Sequence, residues 1–390
     1  MSTFIDPKLR EFCTNDHQRN IFDACVSASS ARDAARKSDY SLSTIKSSIS
    51  RLKDRAAKRG YAPENNMNHV APDGYTVKGT STLYDVDGNQ KIQWVKTNID
   101  AQRQEEMMQA AIASLCETIK KEKPVPAPKH SLEDLLSLYV ITDYHIGMKA
   151  WGEETRGDDW DTDIAEDMLY RWFKSAIKSS PDSETAVFAQ MGDFLHWDGM
   201  QAVTPMNKNV LDADTRLQMI IRVALRAIRR IVRELLIKHK TLHLIMAEGN
   251  HDPAGSAFLR ESLNMLYEEE PRVVVDVSPD PYYCYEHGFT SLFFHHGHKK
   301  KMTNIDDVFV AKFREVFGRT KFSYGHMGHL HHRDMKETNL MILEQHRTLA
   351  AHDQYASSHG WVSGREAQSI TYHKEYGEVG RVVVTPEMIG

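Results

Sequence analysis

The chain has 390 residues, 26% charged and 41% hydrophobic, with a formal net charge of −5. That balance fits two or three folded domains and excludes a disordered or fibrous polypeptide. No run of 18 apolar residues occurs, which excludes a helical membrane span. The first residues, Met1 to Pro7, show neither a basic start nor an apolar block, so no secretory signal is expected. Cys13, Cys25, Cys116 and Cys284 lie far apart and form no CxxC pair, so reduced thiols in a cytoplasmic protein are expected.

Charge is unevenly spread. Residues 1–60 hold 12 Lys and Arg against 7 Asp and Glu, a net of +5, which leaves −10 for the remainder. Within this head, residues 16–59 read as three helices. Asp16 is placed to cap the first, whose apolar face is Ile21, Phe22, Cys25 and Val26. Ser30 caps a short Ala-rich second helix, and Ser38-Asp39-Tyr40 makes a turn. Ser41 or Ser43 caps a third, with Ile45, Ile49 and Leu52 at helical spacing. The pattern resembles a helix-turn-helix, residues 1–60. Lys46, Arg51, Lys53, Arg55, Lys58 and Arg59 crowd its last helix, the footprint expected beside the phosphates of DNA, with RNA as an alternative. A protein-docking module with a solvated basic face is the other reading.

Residues 61–99 change character. Pro72-Asp73-Gly74 and Asp87-Gly88-Asn89 are turn signals among strand-like runs, which read as a wing-like β-hairpin or a small cover for the helices. Residues 100–130 comprise one helix with Met107, Met108, Ala111, Ile112, Leu115 and Ile119 on one face, then a charged, Pro-rich linker from Lys121 to Lys129.

From residue 131 to 390 an α/β pattern is expected. Strands are predicted at Leu138–Thr142, Ala186–Met191, Leu242–Ala247, Val273–Val277, Ser291–Phe294, Phe322–Tyr324 and Val379–Thr385. A helix from about Asp212 to His239 carries Arg222, Arg226, Arg229, Arg230 and Arg233 opposite its apolar face. That basic side reads as solvated, with a nucleic-acid path or a homodimer contact as the alternative. Asp158-Asp159-Trp160-Asp161 reads as surface.

Five of these strands end on groups that packing does not ask for. They are Asp143-Tyr144-His145, then Gly192-Asp193 followed by His196, then Gly249-Asn250-His251-Asp252, His295-His296-Gly297-His298, and Gly328-His329-Leu330-His331. Carboxylates, imidazoles and an amide oxygen at one edge of a sheet are tolerated when they coordinate metal. The mixed oxygen and nitrogen set suits Mn, Fe or Zn rather than Ca.

In this order the motifs resemble those of the calcineurin-like metallophosphoesterases, over roughly residues 136–350. The resemblance implies a four-layer α/β/β/α sandwich with two divalent metal ions, Mn expected and Fe, Zn or Mg as alternatives. Asp143, His145, Asp193 and His331 would hold one ion, and Asp193, Asn250, His296 and His329 the other. His251 would be the catalytic histidine, oriented by Asp252. Gly192-Asp193-Phe194-Leu195-His196 and Gly328-His329-Leu330-His331 are similar to those of SbcD-type DNA repair nucleases, which makes His196 a second catalytic candidate. Those nucleases have no counterpart of the first 130 residues. No C-terminal capping segment of the kind that engages an ATPase partner is evident, so none is expected. The combination resembles phage or prophage metallophosphoesterases with an added helix-turn-helix, which would act in the host cytoplasm. The expected activity is DNA phosphodiester hydrolysis by a hydroxide that bridges two metals, with a catalytic His. The alternatives are a phosphomonoesterase, a nucleotide phosphodiesterase, or a DNA-binding regulator with a vestigial metal site.

Overall fold

The computed structural model describes residues 4–65, 67, 68, 71, 75–85, 90–100, 103, 106, 125–206 and 209–390. The chain divides into two compact units, residues 1–111 and 112–390, each described by itself.

In the first unit, helices α1 (Asp16–Val26), α2 (Ala31–Lys37) and α3 (Leu42–Lys58) follow a 3-10 segment, Pro7–Phe12. Asn15 caps α1 by accepting from the Gln18 N–H; Asp16, the residue expected there, is the first helical residue. Ser30 and Ser41 cap α2 and α3 in the same way, accepting from Asp33 and Thr44. Ile21, Phe22, Cys25, Ala34, Ile45, Leu52 and Ala56 bury one core together with Leu9 and Phe12. Of the six basic residues expected to face phosphates, Lys46, Arg51, Lys53 and Lys58 are exposed and Arg59 is half-buried. Arg55 is a correction. Its guanidinium donates to the Phe12 carbonyl at 2.7 Å and to Gln18 Oε1 at 2.9 Å, so it ties the 3-10 segment and α1 to α3.

An antiparallel hairpin, β1 (Tyr75–Tyr84) with β2 (Gln90–Ile99), follows. Both turns expected there, 72–74 and 87–89, lie outside the described residues. So do Met107 to Ile119, the expected apolar face of the next helix, and the first four residues of the linker.

The second unit holds two sheets. Strands β3 (Leu132–Ile141), β4 (Ser183–Gln190), β5 (Thr241–Met246) and β6 (Val273–Val275) run parallel, separated by helices α4 (Thr162–Ser179), α5 (Leu217–Lys238) and α6 (Pro253–Leu266). In the second sheet, β7 (Tyr283–His287) is antiparallel to β8 (Thr290–Phe294). Next come helix α7 (Ile305–Lys312), β9 (Phe322–Met327), β10 (Asp334–Glu337) and β11 (Ile342–Gln345). Strands β12 (Ala367–His373) and β13 (Gly377–Val384) return to the first sheet, giving the orders β13-β12-β3-β4-β5-β6 and β10-β11-β9-β8-β7.

The sheets pack face to face. Leu138, Val140, Val187, Ala189 and Ile245 of one meet Tyr283, Leu292, Phe294 and Tyr324 of the other. Behind the first sheet Phe173 of α4 packs on Tyr139 and Phe188. Behind the second, Ile305 and Phe309 of α7 cover Phe293, Met327 and Leu343. The layers are therefore helix, sheet, sheet, helix. Arg226 and Arg230 of α5 are engaged by Glu166 and the Tyr170 ring of α4, so that part of the basic face is paired.

Register places the site. Ile141, Gln190 and Met246 stand abreast in the first sheet, and Phe294 stands abreast of His326 in the second. The residues after each pair therefore emerge at one edge. Trp160 is a correction: it is fully buried, against the Tyr144 ring at 5.5 Å and beneath the Arg365 guanidinium. Its neighbours Asp158 and Asp159 are exposed as expected.

Candidate metal centre

Each ligand candidate sits two to four residues past a strand, where the chain has to turn sharply. Six non-glycine residues adopt positive φ among the described residues, and five are Asp143, His145, Asp193, His329 and His331, at φ between 50° and 76°. That conformation is costly for residues with a Cβ and persists where surrounding structure enforces it, as at functional sites. Two glycines make the approach possible. A Cβ on Gly249 would collide with the Asp193 carboxylate, and one on Gly328 with the Thr142 hydroxyl.

The candidate ligands fall into two overlapping groups. Ligand atoms of Asp143, His145 and His331 lie within 4.8 Å of one another, as do those of Asp143, Asp193, His296 and His329. Asp143 belongs to both groups by distance, and Asp193 stands with His296, its carboxylate 3.2 Å from Nε2. Asn250 Oδ1 lies 3.3 Å from the same nitrogen. His296 donates from Nδ1 to the Met191 carbonyl at 2.9 Å, which fixes its tautomer and turns Nε2 to the carboxylates. A main-chain partner on the far ring nitrogen is the usual support of a metal-ligating histidine.

Electrostatics fit the same reading. Asp143, Asp193 and His296 are fully buried. Burial alone would raise both carboxylates, but His331 and His296 hold Asp143 below the ordinary range, and His296 and His251 do the same for Asp193. Burial would lower His296, yet Asp193 and Asp143 hold it up at about 9, so the carboxylate pair favours positive charge at this ring. His145 is lowered by burial to about 3 and His329 is lowered by burial, which leaves neutral rings able to ligate. Asp143 Oδ1 is buried and faces His331 Nε2 at 3.1 Å and His296 Nε2 at 3.8 Å without an aligned hydrogen bond, while Oδ2 accepts from Thr142 Oγ1 at 2.6 Å and the His329 N–H at 2.8 Å. A buried carboxylate oxygen that faces two imidazoles and takes no aligned hydrogen bond fits a cation site. The donor set fits a pair of divalent ions.

His251 stands beside these groups, its ring 4.8 Å from that of His145. Sequence reasoning expected Asp252 to orient it. Instead His251 Nδ1 donates to the His196 carbonyl at 2.9 Å, and Asp252 is turned inward. The Asp252 carboxylate accepts from the N–H groups of Asp193, Leu195 and Gly249 at 3.0–3.1 Å, and burial and then Asp193 raise it to about 7. It shapes the Asp193 and Gly249 turns. The His196 ring is buried, its Nδ1 3.2 Å from His145 Nδ1.

Two supports were not legible beforehand: Thr142, and Thr348, which donates to the Asp143 carbonyl at 2.7 Å. A threonine carries no signal of its own, and Thr348 is far from Asp143 in sequence. His295 turns away from the site onto the Tyr282 ring at 4.4 Å, as strand alternation requires. His298 stays near, its ring 5.3 Å from that of His296, and His332 is exposed. Lys299 pairs with Glu248, and Lys300 and Lys301 are exposed.

A further buried group, His326, Glu344 and His346, has ligand-like spacing. Arg381 takes both Glu344 oxygens at 2.6 and 3.0 Å, His326 Nδ1 meets His346 Nε2 at 3.0 Å, and Tyr372 Oη meets His326 Nε2 at 3.1 Å. Those partners engage Glu344, both His326 nitrogens and His346 Nε2, leaving only His346 Nδ1 without a hydrogen bond, and the group is a polar brace within the sandwich.

No protein-family model and no curated protein sequence matches the chain. Among solved structures it is similar to a conserved protein of Streptococcus pneumoniae TIGR4 described as a predicted phosphoesterase, at 10% identity over 66% of this chain and 92% of that one, with a TM-score of 0.30. A novel archaeal phosphodiesterase aligns at 13% identity over 64% and 99% of the two chains, with a TM-score of 0.33. The 5′-nucleotidase of Candida albicans SC5314 aligns at 12% identity over 63% and 48%, with a TM-score of 0.26. At TM-scores this low the likenesses support no conclusion about activity. No described helix is long and apolar enough to cross a membrane.

Proposed function

We propose that this chain is a metal-dependent phosphoesterase that hydrolyses phosphodiesters of nucleic acid, DNA in the first instance, and that α1–α3 form a helix-turn-helix that binds that substrate. The observation that carries the first part is the buried Asp143–Asp193 carboxylate pair, ringed by His145, His296, His329 and His331, with His331 Nε2 3.1 Å and His296 Nε2 3.8 Å from Asp143 Oδ1.

A divalent pair, Mn for this donor set, supplies Lewis acidity toward the phosphate oxygens and an activated water when bound. The chain's own residues supply position and proton. Asp143 and Asp193 bring negative charge that offsets the cations, and Asn250 adds a neutral oxygen. Met191 and the Thr142 hydroxyl hold His296 and Asp143 in one orientation. His251, held through Nδ1 by the His196 carbonyl, presents Nε2 toward the substrate, and in its imidazolium form it gives the Nε2 proton to the leaving sugar oxygen and becomes neutral. The exposed Lys46, Arg51, Lys53 and Lys58 on α3 support the nucleic-acid part.

The test is digestion of linear and circular DNA, single- and double-stranded, with Mn and with EDTA, beside an aryl phosphodiester and an aryl phosphomonoester. Metal-dependent DNA cleavage is expected, and the circular substrates separate endonuclease from exonuclease action. Hydrolysis of the small esters alone would replace this reading with a nucleotide phosphodiesterase or phosphomonoesterase.

A further inference from the structure

Residues 353–363 lie between β11 and β12 and bring three rings together on the surface. Asp353 caps the short helix Gln354–Ser358 by accepting from the Ala356 N–H at 2.8 Å. His359 Nδ1 donates to the Tyr355 carbonyl at 2.8 Å, which sets the two rings 4.2 Å apart. The Trp361 N–H returns to the Ala356 carbonyl at 3.0 Å, and its indole lies 5.1 Å from the His359 ring and 5.7 Å from that of Tyr355. Tyr355 is 54% exposed and Trp361 59%. A hydrogen-bonded cluster of rings, tilted 34° to 77° to one another and left in water, is unusual, because its apolar faces gain nothing there.

Its place gives it a use. Ser363, two residues past Trp361, donates from Oγ to the main-chain carbonyl of His331 at 2.7 Å, and His331 Nε2 is 3.1 Å from Asp143. The cluster is therefore anchored to a ligand loop of the metal centre. Resting on the phosphodiesterase reading, we propose that Tyr355, His359 and Trp361 form a stacking platform for a base of an unpaired nucleic-acid strand whose phosphate reaches the metal centre. Bases of a duplex are already stacked on their neighbours and present no free face, whereas a single strand offers one at every nucleotide. The loop's own hydrogen bonds hold the rings in place before the strand arrives, so little ordering is needed on binding.

The test uses the full chain in EDTA, where turnover is absent, and fluorescence anisotropy of a labelled 12-mer of oligodeoxythymidylate against an abasic 12-mer of the same length. Their affinity ratio cancels what the phosphates and the basic head contribute. Trp361→Ala and Tyr355→Ala are expected to lower this ratio by about tenfold, within the range for one lost stacked base, and Trp361→Phe to retain most of it. An unchanged ratio in both alanine variants, or an equal loss for both strands, overturns the platform. The two proposals fail separately. A base-dependent affinity in a chain that cleaves no strand removes the phosphodiesterase and keeps the platform; cleavage without base dependence does the reverse.

Discussion

His251 Nδ1 donates to the main-chain carbonyl of His196 at 2.9 Å. The imidazole is thus held by a backbone atom from the same turn that carries Asp193, and its tautomer is set without a carboxylate. Removing the proton donor costs most when the leaving oxygen is a poor leaving group. His251→Ala is expected to slow hydrolysis of a nucleotide diester by about 100- to 10,000-fold and that of a nitrophenyl diester far less. Equal losses on both esters would remove the proton-donor role.

Asp143 and Asp193 follow the adjacent parallel strands β3 and β4 and would hold the candidate ions between them. Asp143→Asn or Asp193→Asn is expected to reduce bound Mn from about two ions per chain, measured by atomic emission after gel filtration, and to abolish turnover. EDTA should do the same to the unaltered chain, with recovery on adding Mn. Full ion content in both variants would move the metal elsewhere.

Gly249 lies against the Asp193 carboxylate with no room for a Cβ. Gly249→Ala is expected to displace Asp193 and cost about 1–3 kcal/mol in urea unfolding, the usual price of overpacking, together with most of the activity. A variant with unaltered stability and activity would show that this turn relaxes freely.

On α3, Lys46→Glu, Arg51→Glu and Lys53→Glu combined should weaken DNA binding and lower the salt slope by about 2–3. Arg55→Ala addresses a different property. Its bonds to Phe12 and Gln18 hold the helical unit together, so about 1–3 kcal/mol of stability should be lost. An unchanged salt slope in the triple variant would reassign α3 to protein docking.

His239 gives a pH signature. It is buried between the Tyr139 hydroxyl at 2.9 Å and the Ser183 carbonyl at 2.8 Å, and burial lowers it to about 4. The unfolded chain, at about 6.5, binds the proton first as pH falls. Stability present above pH 6.5 should therefore be lost between there and pH 4, by about 3 kcal/mol in full. His239→Gln should make the urea midpoint fall less steeply across that window, the remainder belonging to other buried histidines such as His295 and His326; the same slope in the variant would assign the whole loss to them.

Strand ends were legible because local chemistry marks them. Apolar runs such as Leu242–Ala247 stop at a glycine, and polar groups such as Asn250 and His251 follow at once, which packing does not explain. Strands without such marks were missed. β7, β11 and β12 carry no clean alternation, and every residue of the edge strand β10 is exposed. The expected role of Asp252 came with the family resemblance, and that of Arg55 from its basic neighbours. Asp252 instead accepts from the main-chain N–H groups of Asp193, Leu195 and Gly249, and Arg55 donates to the Phe12 carbonyl and the Gln18 side chain.

The sequence by itself determined the residue types at each strand end and the α/β alternation, since both depend on the order of apolar, glycine and polar residues along a short stretch. Only the tertiary structure decided which oxygen of Asp143 faces the His331 and His296 rings, that the His196 carbonyl holds His251, and that Trp361 stands beside a ligand loop. Those relationships join segments tens to hundreds of residues apart. They exist because parallel strands in register bring their ends level, and no local pattern encodes that register.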